Sequence, residues 1–474
     1  MSTATAGTPV ENTTPRAGRR EWLGLAVLML PVLLVSVDGT VLTFAVPSIT
    51  RALVPSGTEL LWAVDVYPLV LAGLLITAGT LGDRFGRRRV FVVGTVAFAL
   101  ASAACGLAPS PEVLIVARLL QGVGGALLVP GSLAMIQGAF APADRARAIG
   151  SWSGLGAIAG AIGPFVGGVL VDYASWRWIF LVNLPLALVT VVVARRWVPE
   201  SADPRASRHL DVLGALLATL ALGGTTYALV EAGGPVAPWA GGLAVLAAVA
   251  FVVVERRERE PMLDLGVFAD RTFSAANVLT LLMYAALGSV LFFVTLQLQT
   301  VGGYSALAAG VSTLPMTLCM LLLASRGGAL AARIGPRIPL TVGPLVLATG
   351  VLLLLRVGPD VSYAADVLPG ITVFGLGLSL TVAPLTATVL AAAPDEHAGI
   401  ASGVNNAVAR TGQLLAVAAL PVLVGLGGAE YADPVALDAG YHRALLVAAA
   451  LMVGASLVAA LFVRSEVLER GPAG

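Results

Sequence analysis

No lysine occurs anywhere in the chain; all 28 basic residues are arginine. Charge of either sign is scarce, since 12% of the 474 residues are charged, against about a quarter in soluble domains. The formal net charge of +1 leaves neither the basic footprint of a nucleic-acid binder nor an acidic tail. The two cysteines, Cys105 and Cys319, both sit in apolar runs. That excludes a disulfide framework, and three scattered histidines (His209, His397, His442) make no metal site with them. Extended polar stretches are missing as well. A membrane-bound enzyme or a receptor would need an outer domain or clustered catalytic groups, so neither is expected.

What abounds is hydrocarbon. Hydrophobic residues make up 58% of the chain, and the mean hydropathy is +0.91. Apolar runs of about 20 residues cross bilayers as helices, because unpaired backbone groups are too costly in lipid. Fourteen such runs can be read: 22–47, 60–81, 89–108, 112–138, 147–171, 177–194, 210–230, 238–255, 274–300, 306–326, 336–356, 366–392, 398–426 and 441–463. The first is too long for a signal peptide and reads as an uncleaved span. An even number places both termini on one side, and arginine placement chooses it. With the N-terminus inside, 22 arginines fall inside, and four (Arg51, Arg177, Arg356, Arg443) fall outside. The expectation is a bacterial inner-membrane protein with both termini cytoplasmic.

An internal repeat divides the chain. Gly79-Thr-Leu-Gly-Asp-Arg-Phe-Gly-Arg-Arg follows the second span, and Gly328-Ala-Leu-Ala-Ala-Arg-Ile-Gly-Pro-Arg follows the tenth, at a constant offset of 249 residues. The pattern pairs Gly86 with Gly335 and Arg88 with Arg337. It predicts an all-α membrane fold of two six-helix bundles, 22–196 and 274–463, between short tails at 1–21 and 464–474. The segment 197–273 would then insert a two-helix hairpin. Repeated halves with a site at their interface are a common transporter plan.

Ionisable groups inside spans are expensive and therefore functional candidates. Asp38 lies roughly 14 Å from the outer end of the first helix and Arg118 roughly 10 Å into the fourth from the same face. Similar depth permits pairing. Asp38 could exchange a proton for a cationic cargo, or could be a structural partner for the fourth helix. Arg118, Gln121, Gly122 and Gly125 share one helical face, suited to an inward polar stripe with close helix contact. Asp65, near the outer end of the second helix, could attract cations or simply reach water. Asn406, Arg410 and Gln413 form a further stripe. Arg410, roughly 18 Å deep, could bind substrate, tune an acid or brace the halves. In the loop 79–89, Gly86 suits tight reversal, Asp83 suits a neighbouring helix N-terminus, and Arg84 and Arg87 suit either topology alone or a gating latch. Gly163, Pro164, Gly167 and Gly168 combine close-contact glycines with a proline kink.

Together these stretches resemble the major facilitator superfamily, and within it the fourteen-helix drug:proton antiporters of the QacA-like and EmrB-like branch. Gly79–Arg89 is similar to the superfamily's loop signature, and Val37–Pro47 to the first-helix signature of this branch. Arg118-Leu-Leu-Gln-Gly122 resembles the fourth-helix pattern whose arginine the family associates with proton transfer. Ala159–Gly168 resembles the fifth-helix antiporter pattern, although Ala159 stands where glycine is usual. Ser175–Pro185 is similar to the start of the branch's sixth helix. The resemblance implies a proton-driven exporter of small hydrophobic drugs, dyes or monovalent lipophilic cations, acting as a monomer without a cofactor. Residues 314–323 contain no acid, which disfavours dications. A dedicated exporter of one natural product, neutral metabolite or lipid is the alternative, and uptake is opposed by the antiporter pattern.

Overall fold

The computed structural model describes residues 19–139, 163–200, 211–258, 263, 265–393, 398–426, 431 and 433–468. Helices α1 (Arg19–Leu53), α2 (Gly57–Phe85), α3 (Arg87–Gly106) and α4 (Pro111–Ala139) precede α5 (163–173), a short α6 (Trp178–Leu181) and α7 (Asn183–Trp197). Next come α8 (Val212–Val230) and α9 (Ala237–Arg257). The rest forms α10 (Arg271–Leu296), α11 (Ala306–Ser312), α12 (Leu314–Ile334), α13 (Arg337–Leu353), α14 (Leu368–Ala391), α15 (Ala398–Leu423) and α16 (Pro434–Phe462). No strand occurs among the described residues. In lipid this is required, because a helix satisfies its own backbone.

Among the described residues twelve spans are long and apolar enough to cross a membrane, with α6–α7 and α11–α12 each forming one. Helix α1, bent by 47° between Leu33–Gly39 and Val41–Leu53, makes a thirteenth. The protein is therefore a multi-pass membrane protein. Of the expected fifth span, 147–162 lies outside the described residues. The α11–α12 break falls at Thr313, where Pro315 opens the new helix without a backbone N–H to lose.

Helices α1–α4, α6 and α7 pack chiefly with one another, around Leu34, Tyr67, Leu71, Phe91 and Phe98. Helices α10–α16 do likewise around Phe273, Phe293, Phe374 and Tyr441. Helix α8 lies against both groups, touching α2 and α15, while α9 packs on α8. The outer face of α9 leaves Leu243, Val245 and Leu246 more than half exposed, which suits a helix solvated by lipid tails.

The expected loop 79–89 is shorter than its arginines suggested. Helix α2 runs to Phe85 and α3 starts at Arg87, so Gly86 alone makes the connection. Its φ of 102° and the φ of 79° at Gly335 lie where side chains are strained, which explains glycine at both copies of the repeat. The arginines that follow behave alike. Arg88 Nη1 donates to the Val198 carbonyl beyond α7 at 3.0 Å, and Arg337 Nη2 donates to the Ala460 carbonyl near the end of α16. Each repeat thus braces the last helix of its own half.

Candidate functional site

The first polar centre is buried among α1, α3, α4 and α7. Asp38 sits at the α1 bend, 4% exposed, and Arg118 on α4 is 1% exposed. Arg118 Nη1 donates to Asp38 Oδ2 and, at 2.9 Å, to Gln121 Oε1. Gln121 Nε2 donates to Asp38 Oδ1 at 2.8 Å, and Asn183 Nδ2 reaches the same oxygen at 3.4 Å. Asn183 also donates to Ser102 Oγ at 2.9 Å, and Ser102 passes its own hydrogen to the Phe180 carbonyl at 2.9 Å. Both carboxylate oxygens are occupied. A buried ion pair is tolerable only when the remaining lone pairs and protons find partners, and here they do. The pairing of Asp38 with Arg118, which their similar depth permitted, is present. The residues that complete the network, Asn183 and Ser102, were missed, though a lone Asn in the apolar run 178–194 was the available signal.

Arg118 also binds α2. Its Nε donates to the Ala63 carbonyl at 3.3 Å, and its guanidinium lies 4.3 Å from the centroid of the Tyr67 ring. Tyr67 in turn donates to the Val35 carbonyl on α1 at 3.3 Å. One side of the α2 turn 63–67 is thereby held by the ion pair. The other side faces a cavity.

That cavity, about 260 Å³, lies between the two helix groups. Asp65 and Tyr67 of α2, Thr43 and Phe44 of α1, and Pro164 of α5 line it from one group; Phe292 of α10, Met316 of α12, and Arg410 and Gln413 of α15 line it from the other. Asp38 does not. Asp65 is 1% exposed and its Oδ2 has no hydrogen-bond partner. Arg410 has no ion-pair partner among the described residues. An acid from one group and a cation from the other therefore share one chamber. Asn406, expected in the same stripe, is exposed and outside the lining; its neighbour Asn405 bonds Asn277 and Thr280 on α10.

The end of the molecule opposite the arginine-rich end is closed by α5 against α11. A methyl added at Gly168 would stand 2.4 Å from Leu307 Cα, and one at Gly310 2.4 Å from the Pro164 carbonyl. Gly167 meets Val41 of α1, and Gly163 is buried. Asp172 caps the joint, accepting from Ala306 N at 3.1 Å and Leu307 N at 2.8 Å. Sequence reasoning overlooked this residue. At the arginine-rich end, Glu200 accepts from Arg88 N at 3.0 Å and lies within 3.8 Å of Arg88 and Arg89. Arg84 lies over the Phe85 ring, Gly79 is part of α2, and the Asp83 side chain lies outside the described residues.

Residues 28–417 match the Major Facilitator Superfamily. The chain belongs to that superfamily. Among its relatives, the multidrug efflux pump LfrA of Mycolicibacterium smegmatis is 36% identical over 97% of this chain and 91% of its own length. The tetracenomycin C resistance and export protein of Streptomyces glaucescens is 36% identical over 87% of this chain and 78% of its own. Of solved structures, a bacterial homologue of the human lysosomal transporter Spinster, inward-facing and unoccupied, superposes with a TM-score of 0.66. It covers 96% of this chain and 100% of its own, at 17% identity. That likeness speaks for the superfamily fold.

Proposed function

We propose that this superfamily member is a proton-coupled exporter of small hydrophobic drugs, dyes or monovalent lipophilic cations. It resides in the bacterial cell membrane with both termini and the arginine-rich end cytoplasmic, acts as a monomer and needs no cofactor. Its fourteen spans form two six-helix bundles, 22–196 and 274–463, with the α8–α9 hairpin inserted in 197–273. The observation that carries the reading is the α2 turn 63–67, which joins the cavity acid Asp65 to the buried Asp38–Arg118 pair.

The chemistry follows from that joint. A proton on Asp38 cancels the carboxylate charge that holds Arg118, and Arg118 holds the Ala63 carbonyl and the Tyr67 ring. Loss of the pair loosens the turn bearing Asp65, so cargo and proton are linked through one element. Asp65 meets a positive cargo or a proton in the chamber; Arg410 across from it disfavours a second positive charge and draws the halves together once cargo leaves. Release to the far side requires α5 and α11 to part, with Gly163, Pro164, Gly167 and Gly168 as the seal. The loop pair at Gly86 and Gly335, with Arg84, Arg87 and Asp83, serves the opposite gate as the halves rock.

Names of relatives favour two breadths of cargo, since one is a multidrug pump and another exports tetracenomycin C. A susceptibility panel after expression in a pump-deleted host separates them. Protection against several unrelated hydrophobic compounds, lost in Asp65→Asn, supports the broad reading. Protection against one class alone supports a dedicated exporter, and no protection against any compound removes both.

A further inference from the structure

A second and larger cavity, about 590 Å³, lies outside the central chamber between α2, α8, α10 and α15. It falls within the size range of small-molecule sites, about 300–1,000 Å³. Its floor is Ala72 and Gly73 of α2, its far wall is Ala218, Ala221 and Leu222 of α8, and Phe251 of α9 closes one side. Ala407, Val408 and Thr411 of α15 complete it. Val278 and Leu281 of α10 stand on the rim, 45% and 37% exposed, where lipid surrounds the bundle.

Its chemistry differs from that of the central chamber. Among the described residues, no acid, arginine or histidine lines it. Three of its four polar side chains already bond the protein. Thr225 Oγ1 donates to the Ala221 carbonyl at 2.7 Å, Ser274 Oγ to the Phe268 carbonyl at 2.6 Å, and Asn277 Nδ2 to the Phe273 carbonyl at 2.9 Å. A ligand here is offered methyl and aromatic surface and little else. Charged molecules would lose their hydration without compensation.

On α2, Ala72 lies one helical turn beyond Pro68, a lining residue of the central chamber, about 6 Å along the axis. On α15, Thr411 adjoins Arg410 of the chamber. The larger cavity is thus stacked on the chamber toward the arginine-rich end. Helix α8 packs against α2 and α15 here, with the Thr219 hydroxyl 3.3 Å from the Gly73 carbonyl.

We propose that this cavity is a distinct binding site for an uncharged, hydrocarbon-rich molecule taken from the bilayer, and that the α8–α9 hairpin supplies its outer wall. The occupant is either a lipid acyl chain or an apolar cargo on its way to the chamber. Only the second source rests on the exporter reading; the site itself does not.

The test uses the full chain in nanodiscs, photolabelled with an aliphatic diazirine on an otherwise saturated hydrocarbon chain, with labelled peptides mapped by mass spectrometry. Labelling concentrated on the α8 and α15 segments that line the cavity is expected. It should be lost in Ala221→Phe, which fills the space, and in the rim variant Leu281→Trp, which narrows the opening. Melting temperature and elution volume show whether each variant is folded. Competition by excess phospholipid alone identifies a resident lipid, and competition by a neutral hydrophobic dye identifies cargo; both support the site. Labelling spread evenly over the lipid-facing helices, or unchanged in a folded filled variant, overturns it. Neither result depends on transport, so a failed export assay with intact labelling would sink the exporter reading and leave this site standing.

Discussion

Asp38 and Arg118 raise the question of what a buried ion pair does for a membrane protein. Such a pair contributes little net stability, yet removing one partner strands a charge in low dielectric and costs about 3–5 kcal/mol. Arg118→Ala and Asp38→Asn should therefore each lower the thermal midpoint in detergent. The double variant Asp38→Asn, Arg118→Gln leaves no unpaired charge and should recover most of that loss. If it recovers stability and proton-driven transport together, the pair is only scaffolding. Depth counting along the two helices placed these residues at one level, and the geometry brings them into contact. What depth could not supply was rotation about each helix axis. That is why Asp38 faces Gln121 and Asn183 while Asp65, at first an interfacial candidate, faces the chamber.

Helix-to-helix contact decides how the two ends can move. At the α5–α11 joint the close approaches at Gly168 and Gly310 involve backbone, which cannot rotate away, so a methyl group forces the helices about 1 Å apart. Gly168→Ala should raise the alkylation rate of a cysteine placed at Met316 by a membrane-impermeant reagent added from that side. An unchanged rate would show that the joint is not the seal. The repeat glycines differ in kind. Both need positive φ, but a methyl at Gly335 meets the Ser465 carbonyl at 2.7 Å, whereas one at Gly86 meets the movable Glu200 side chain at 2.8 Å. Gly335→Ala should therefore destabilise more than Gly86→Ala, which carries mainly the conformational cost of about 1–2 kcal/mol; paired thermal melts check this. The repeat itself was legible in the sequence because glycine and arginine there answer to backbone geometry. The α5–α11 cap by Asp172 was not, since it joins positions more than a hundred residues apart with no periodic signal between them.

Among the described residues, two helix groups meet over a chamber lined by Asp65 and Arg410, while the Asp38–Arg118 pair lies behind its wall. Arginine counting spoke to sidedness, and hydropathy to the spans. Neither could reveal that α8 bridges the groups, because its apolar sequence is the same whether it faces lipid or a cavity. Linkage between the Asp38–Arg118 pair and the chamber is the central proposal, and purified protein in liposomes with an imposed pH gradient tests it most directly. Wild-type protein should drive ethidium uphill only while the gradient lasts. Asp38→Asn should still bind ethidium with similar affinity yet equilibrate it without accumulation. Uphill transport by Asp38→Asn at the wild-type rate, or wild-type accumulation indifferent to a protonophore, would contradict the account.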